Sequence, residues 1–152
     1  MMQWTFDILE KNRKLMASFL DKFSVEQLNT VPEGFNNNII WNIAHLVATQ
    51  QLLTYKLSGL PMRVDEAFVE TYRKGTKANG MVSAEDIATI KSMLFLSVEQ
   101  TKEDYNNGVF KSYNAYTTST GSTLTSFEDA MAFNNYHEGI HLGYILAMKK
   151  SL

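Results

Sequence analysis

The stretch from Thr125 to Lys150, TSFEDAMAFNNYHEGIHLGYILAMKK, decides the fold, and it contains two of the three histidines of the chain. Its apolar residues recur at the spacing of an α-helix, and its first four residues match a helix capping box. His137 and His141 are four residues apart, so on a helix both imidazoles project from one face. The third histidine, His45, lies far upstream in another segment with helical periodicity. The pattern predicts that two helices bring three imidazoles together.

Three further long segments also have helical periodicity. They run from about Trp4 to Phe23, with Arg13 inside an otherwise apolar stripe, from Ile39 to Leu57, and from Ser83 to Tyr105. A capping box at Ser24 predicts a short additional helix. The connection 62–82 predicts a loop with one short helix, and 109–125 fits either an extended hairpin or an irregular crossing. These features predict an all-α fold, namely a four-helix bundle with long crossover connections.

Length and composition limit the possible functions. The chain of 152 residues fits one domain covering positions 1–152, and it has no cysteine, which excludes disulfides, thiolate zinc sites and a cysteine nucleophile. A net charge of −2 gives no reason to expect nucleic-acid binding. No apolar run is long enough for a signal peptide or a membrane span, so we expect a cytoplasmic protein without a membrane partner.

The three histidines have the pattern of a catalytic metal site. A single histidine among apolar neighbours is usually a hydrogen-bonded core residue. Two histidines on one buried helix face would each need a hydrogen-bond partner, whereas one divalent ion can bind both imidazoles. Ligation by His45, His137 and His141 would leave one coordination position open, which distinguishes catalytic from structural metal sites. A thiol or a water in that position would be activated as a nucleophile.

The sequence His137-Glu138-Gly139-Ile140-His141 also matches the H-E-x-x-H motif of zinc proteases. The third ligand of those enzymes follows the motif, but no His, Asp or Glu occurs from 142 to 152. The extended form of the motif would need glycine at Tyr144 and histidine at Ala147. A protease of this type is therefore not favoured.

Several polar residues near the histidines are candidates for supporting roles. Glu138 is a candidate general base, or a group that orients a metal ligand; the alternative is a solvated surface carboxylate. Asn42 and Asn134 each precede a histidine by three residues and fit either a supporting partner or a capping or surface amide. Tyr144 is expected in the core rather than at a pocket mouth. Tyr113 and Tyr116 are candidates for the pocket mouth, in a segment whose conformation does not follow from the sequence. The basic residues Arg73, Lys74 and Lys77 fit either attraction of an acidic thiol or a solvated loop, and they are not included in the predicted site.

The run NTVPEGFNNNIIWNIAHL at positions 29–46, followed by His137-x-x-x-His141-x-Gly143, resembles the DinB/YfiT-like family of bacterial four-helix proteins. The resemblance covers almost the whole chain, including Gly59-Leu60-Pro61 and the loop 68–75. It implies a bundle with helix order 1-2-4-3, homodimers, and a divalent metal, commonly zinc or nickel, held by three histidines. Mapped onto this sequence, those ligands are His45, His137 and His141.

The same resemblance implies a chemistry. Characterised relatives include S-transferases that use low-molecular-weight thiols such as bacillithiol, and a mycothiol-dependent isomerase. The implied function is a divalent-metal-dependent thiol S-transferase or hydrolase that acts on a small-molecule substrate, with a thiol as cosubstrate. No residues are assigned to thiol binding. The alternative is a non-catalytic metal-binding or stress-induced dimeric bundle, which the sequence separates poorly from an enzyme.

Overall fold

Four long helices account for most of the chain in a computed structural model that describes residues 2–152. The predicted all-α class is confirmed, and the only strands in this range form a two-stranded ribbon. In chain order the elements are α1 (Met2–Lys22), α2 (Val25–Asn29), α3 (Ile39–Gln51), a π-helical turn (Leu52–Lys56), α4 (Glu66–Tyr72), α5 (Ala84–Asn106), β1 (Tyr116–Thr117), β2 (Thr123–Leu124), α6 (Phe127–Met148) and a 3₁₀ turn (Lys149–Ser151).

The long helices are arranged so that α1 packs against α5 and α6, and α3 packs against the same two helices. Helices α1 and α3 are therefore diagonal to each other, and the order of the four long helices around the bundle is 1-4-2-3. The expected order 1-2-4-3 is wrong. The segments 23–38 and 107–126 are long enough to cross an end of the bundle, so helices that follow each other in sequence need not be neighbours.

The helices begin at the predicted capping residues, except that the last helix begins one residue later. The capping box at Ser24 is confirmed, because its hydroxyl accepts a hydrogen bond from the Gln27 amide and its own amide donates to the Gln27 side chain. The last helix begins one residue later than predicted. Ser126 caps it, while the amide and hydroxyl of Thr125 both donate to the carboxylate of Asp129. Asp129 thus accepts the hydrogen bonds that the predicted capping box assigned to Glu128.

Helix α3 is the central element of the bundle, and nearly all of its side chains are buried. Asn38 caps it by accepting a hydrogen bond from the Trp41 amide. The predicted single helix over 39–57 is an α-helix only to Gln51. It then widens into the π-helical turn, in which the Leu57 amide donates to the Leu52 carbonyl five residues back. Such turns often occur at functional sites, and this one lines the cavity described below.

The two long connections agree with the prediction. Segment 62–82 contains one short helix, α4, and segment 109–125 contains a minimal hairpin in which Tyr116 pairs with Leu124. Gly121 has a φ of 89° at the hairpin turn, a conformation that favours glycine. Within residues 2–152, no helix combines the length and the apolarity that a membrane span would require.

Candidate metal centre

The three histidines meet at one place between α3 and α6. His45 projects from α3, and His137 and His141 project from α6. The Nε2 atom of His137 lies 3.3 Å from Nε2 of His45 and 3.1 Å from Nε2 of His141. One nitrogen from each ring lies within 4.8 Å of the others, so the group could hold a metal ion. The convergence expected from the sequence is therefore present.

Hydrogen bonds on the far side of two rings determine their tautomers. His45 Nδ1–H donates to the main-chain carbonyl of Tyr72 at 2.6 Å, and His141 Nδ1–H donates to Oδ1 of Asn42 at 2.7 Å. The Asn42 amide nitrogen donates to the Asn38 carbonyl, which leaves its oxygen facing the imidazole. In a neutral ring with a protonated Nδ1, the Nε2 atom carries the lone pair. Both lone pairs therefore face His137.

This arrangement fits a metal ion better than it fits hydrogen bonds alone. His137 Nε2 has at most one proton in the neutral ring, so it can donate to only one of the two facing nitrogens. The lone pair of the other nitrogen would then receive no proton from His137, whereas a cation between the rings would engage all three Nε2 lone pairs. His137 Nδ1 is buried and has no hydrogen-bond partner among residues 2–152. Three imidazole nitrogens are a donor set that suits zinc and nickel.

Burial keeps the imidazoles neutral. It lowers the pKa of His137 to about 4, with smaller contributions from the charges of His45 and Lys74. It lowers the pKa of His141 to about 3, with help from the other two rings. Burial also lowers the pKa of His45, although the hydrogen bond to Tyr72 opposes that shift. Metals bind the neutral form of imidazole, so the three rings are ready for coordination near pH 7.

An open cavity of about 840 Å³ leads to the three rings. Trp41 stacks on His45 with ring centroids 4.6 Å apart and an interplanar angle of 12°, and forms one wall. Leu52, Leu57 and Phe133 add apolar surface. The size is within the range of small-molecule binding sites. A metal held by the three histidines would have a free coordination position on the cavity side.

The rim of the cavity is basic. Lys56, Arg73, Lys74 and Lys77 line it, whereas no Asp or Glu is among its lining residues in the described range 2–152. Arg73 pairs with Glu70 at the surface. The sequence interpretation left three of these residues outside the site and missed Lys56. A signal was available, because Lys56 follows His45 by eleven residues, which is close to three helical turns and therefore the same face.

Two of the three tyrosines that the sequence offers as candidates for the pocket mouth line the cavity. Tyr144 is 52% exposed and lines the cavity mouth, so its expected place in the core is wrong. Its ring lies on the same face of α6 as His141, with the two centroids 6.1 Å apart. Tyr116 also lines the cavity. The Tyr113 hydroxyl instead donates to the Leu53 carbonyl, and this residue is not part of the lining.

Glu138 is not directed at the histidines. Its carboxylate is buried and pairs with Arg13, at 2.6 Å between Oε1 and Nη2. It is therefore neither a solvated carboxylate nor positioned as a proton acceptor in the cavity, which corrects both expectations. Asn134 donates to Glu138 rather than contacting His137. Of the two asparagines considered, only Asn42 contacts a histidine.

The fold and the site together define a class, a helical bundle with a buried three-histidine cluster that could hold a metal ion at the base of an open cavity. The family comparison agrees with this class. The family model described as the DinB superfamily matches residues 8–145. The chain belongs to the DinB superfamily. No curated protein matches the chain.

Proposed function

We propose that this protein is a divalent-metal-dependent enzyme in which His45, His137 and His141 are the metal ligands. The observation that supports the proposal is the convergence of three Nε2 atoms at the base of an open cavity, two of them with tautomers set by neighbouring groups. Zinc and nickel are the metals that suit this donor set best. A bound divalent ion would lower the pKa of a thiol or a water that enters its open position.

We favour a thiol S-transferase over a hydrolase. A metal-dependent hydrolase usually pairs its metal with a carboxylate that accepts a proton from water. No carboxylate lines this cavity within residues 2–152, and the nearest one in sequence, Glu138, is paired with Arg13. A thiol has an ordinary pKa of about 8.5 and needs less help to lose its proton. Because the chain contains no cysteine, the thiol would come from a cosubstrate.

The basic rim favours an acidic cosubstrate. Lys56, Lys74 and Lys77 have no ion-pair partner within the described chain, and Arg73 adds a fourth positive charge. A low-molecular-weight thiol with carboxylate groups, of the bacillithiol type, would place its anionic part against this rim and its sulfur toward the histidines. The apolar wall formed by Trp41 would accommodate the electrophile. A cytoplasmic location, where such thiols are kept reduced, belongs to the same proposal.

Residues at the inner end of the cavity would orient the reactants. The Thr49 hydroxyl lies 3.2 Å from Nε2 of His45 and lines the cavity, so it can bond a group that approaches the open position. Trp41 holds the plane of His45 by stacking on it. Tyr144 at the mouth would restrict entry of water. These are roles in binding and orientation, and none of them requires a carboxylate.

A homodimer is a further part of the proposal. The outer face of α6 exposes Tyr136, Gly139, Ile140 and Gly143, with no charge among them. An uncharged helix face of this kind is typical of an interface between subunits. A second copy of the chain would cover it without blocking the cavity, because these residues are not among those that line the cavity.

Elemental analysis of protein purified without a histidine tag tests the metal site. We expect about one zinc or nickel per chain in the wild type, and loss of that metal in His45→Ala, His137→Ala and His141→Ala. Asn135→Ala is the matched control, because Asn135 lies on α6 but bonds Thr5. Retention of a full equivalent of metal by any of the three histidine variants would remove that histidine from the ligand set.

Turnover distinguishes the remaining alternatives. A transferase requires both the metal and an added thiol to modify an electrophile, whereas a hydrolase acts without thiol. A non-catalytic metal-binding bundle would contain stoichiometric metal and lose thermal stability with a chelator, yet convert neither kind of substrate. A stress-induced dimeric bundle without metal would show dimers and no bound metal. Each outcome selects one function.

A further inference from the structure

A buried ion pair joins α1 to α6 beside the candidate metal centre. The exposed fractions of Arg13 and Glu138 are 0% and 1%. Nε and Nη2 of Arg13 donate to Oε1 of the carboxylate at 2.9 and 2.6 Å. The side-chain amides of Asn12 and Asn134 donate to the same carboxylate at 2.8 and 3.2 Å. The carboxylate is therefore fully surrounded by donors.

The same arginine reaches a third helix. Its Nη1 donates to the carbonyl of Leu94 and to the hydroxyl of Ser97, both on α5 and both at 3.1 Å. A buried ion pair seldom stabilises a fold more than well-packed apolar side chains would, so stability alone is a weak explanation for it. The ion pair does constrain geometry, because a guanidinium that donates through two nitrogens fixes the orientation of the carboxylate. The pair thus relates α6 to α1 and α5.

One histidine of the cluster lacks a partner of its own. His45 and His141 are oriented by hydrogen bonds from Nδ1, to Tyr72 and Asn42 respectively. His137 has no such bond, since its buried Nδ1 has no partner among residues 2–152. Apart from the Nε2 contacts with His45 and His141, the position of this ring depends on the backbone of α6. The next residue along that backbone is Glu138.

A small rotation of α6 would disturb the cluster. Side-chain atoms lie roughly 6 Å from a helix axis, so a rotation of about 10° moves them by roughly 1 Å. Metal–ligand distances tolerate only about 0.2 Å. Because His137 and His141 are on the same helix, such a rotation would displace both rings relative to His45 on α3.

From these contacts we propose that the Arg13–Glu138 pair is a positioning device that sets the rotation of α6 and so holds His137 in place for metal binding. This inference rests on the proposed metal site. It assigns to Glu138 a role through the backbone of α6 rather than in the reaction, and it gives a role to Arg13, a charged residue inside an apolar helix stripe.

The test compares zinc affinity with metal-free stability in the full chain. The principal variant is Arg13→Met/Glu138→Leu, which removes both charges and leaves neither unpaired. The matched control is Glu10→Leu/Lys102→Met, which removes an ion pair that joins α1 to α5 at the surface. Zinc dissociation constants are measured by competition with a chromophoric chelator, and melting temperatures are measured in excess chelator.

We expect the principal variant to melt within about 5 °C of the wild type without metal, and to bind zinc about tenfold or more weakly. The control keeps the wild-type dissociation constant. A folded principal variant with wild-type zinc affinity overturns the inference. If that variant does not fold, Arg13→Lys replaces it, since lysine keeps the charge but loses the two-nitrogen geometry. Wild-type zinc affinity in Arg13→Lys likewise overturns the inference.

Failure of the proposed metal site would be visible separately, as a wild-type chain that binds no zinc. In that case the imidazole ¹H–¹⁵N resonances of the metal-free protein give the answer. We expect the His137 and His141 resonances to shift in Arg13→Met/Glu138→Leu and in Arg13→Lys, because both rings project from α6. Unchanged His137 resonances in both variants would contradict a positioning role whether or not the protein binds a metal.

Discussion

Asn42 Oδ1 accepts a hydrogen bond from His141 Nδ1 at 2.7 Å, and the two residues lie on different helices. Asn42→Ala removes the acceptor that holds His141 in the tautomer with a free Nε2. We expect zinc affinity to fall by about 10- to 100-fold, as is usual when a partner of a metal-bound histidine is lost. Chelator competition measures the change. Asn135→Ala on α6 should leave the affinity unchanged, and an unaffected Asn42→Ala would show that His141 needs no support.

The histidine cluster makes the metal-free protein sensitive to acid. The pKa values of His137 and His141 are about 4 and 3, below the value of about 6.5 in an unfolded chain. Between the folded-state and unfolded-state pKa values, the unfolded chain binds more protons than the folded one. The free energy of unfolding therefore has its full value above about pH 6.5 and falls as the pH drops below it. Melting temperatures in chelator should therefore decrease from about pH 7.5 to about pH 5.

The control for this acid sensitivity is His137→Gln/His141→Gln, which removes the two strongly shifted groups. Its melting temperature should depend less on pH over the same interval. A wild-type melting temperature that is constant or rises on acidification would show that the rings are accessible to protons without unfolding.

Asp104 connects the end of the π-helical turn to α5. Its carboxylate accepts hydrogen bonds from the Tyr55 hydroxyl at 2.5 Å and from Nε and Nη2 of Arg63 at 2.9 and 2.7 Å. Burial alone would raise its pKa, but these bonds outweigh burial and lower it. Asp104→Asn should reduce the free energy of unfolding by about 2 kcal/mol. Urea denaturation in chelator measures this loss, and Asp7→Asn at the surface is the control.

The basic rim predicts discrimination between thiols. The double variant Lys56→Gln/Lys74→Gln should raise KM for a thiol that carries carboxylates by about tenfold, because two charge contacts of modest strength are lost. KM for a neutral thiol should change little. Lys22→Gln, at the end of α1 and outside the cavity, is the control. Equal effects on both thiols would mean that the lysines do not contact the anionic part.

The uncharged face of α6 predicts a dimer that a single charge disrupts. Ile140→Asp would place a carboxylate in the centre of this face, and burying an unpaired charge is costly. We expect the wild type to sediment as a dimer and the variant as a monomer. Leu96→Asp is the matched control, because Leu96 is an exposed leucine on α5. A monomeric wild type would remove the dimer from the proposal.

The helices and the meeting of the histidines could be predicted because they depend on local patterns. A period of 3.6 residues defines α1, α5 and α6, and a four-residue spacing places His137 and His141 on one face of a helix. The helix order could not be predicted from such patterns, since it depends on how the long connections cross the ends of the bundle. The resemblance therefore supplied an order that the packing of α1 and α3 contradicts.

The supporting contacts were less accessible, since they join residues far apart in sequence. Glu138 bonds Arg13 across 125 positions. His45 bonds the main-chain carbonyl of Tyr72, and because every residue has such a carbonyl, the sequence does not indicate which one is the acceptor. Arg13 did provide a clue. A charge within an apolar helix stripe needs a buried partner of opposite charge, and Glu138 on the last helix was an available candidate. Exposure of Tyr144 depended on the cavity, whose shape follows from tertiary packing alone.

The anchor of His45 has an evolutionary consequence. Its acceptor is the backbone carbonyl of Tyr72, at the end of α4, so the contact survives any substitution at position 72 that leaves the backbone in place. The same connection continues with Arg73, Lys74 and Lys77, whose side chains line the cavity. Mutation can therefore alter which ligands enter without altering how this imidazole is held. Substrate range and coordination geometry can diverge independently over time.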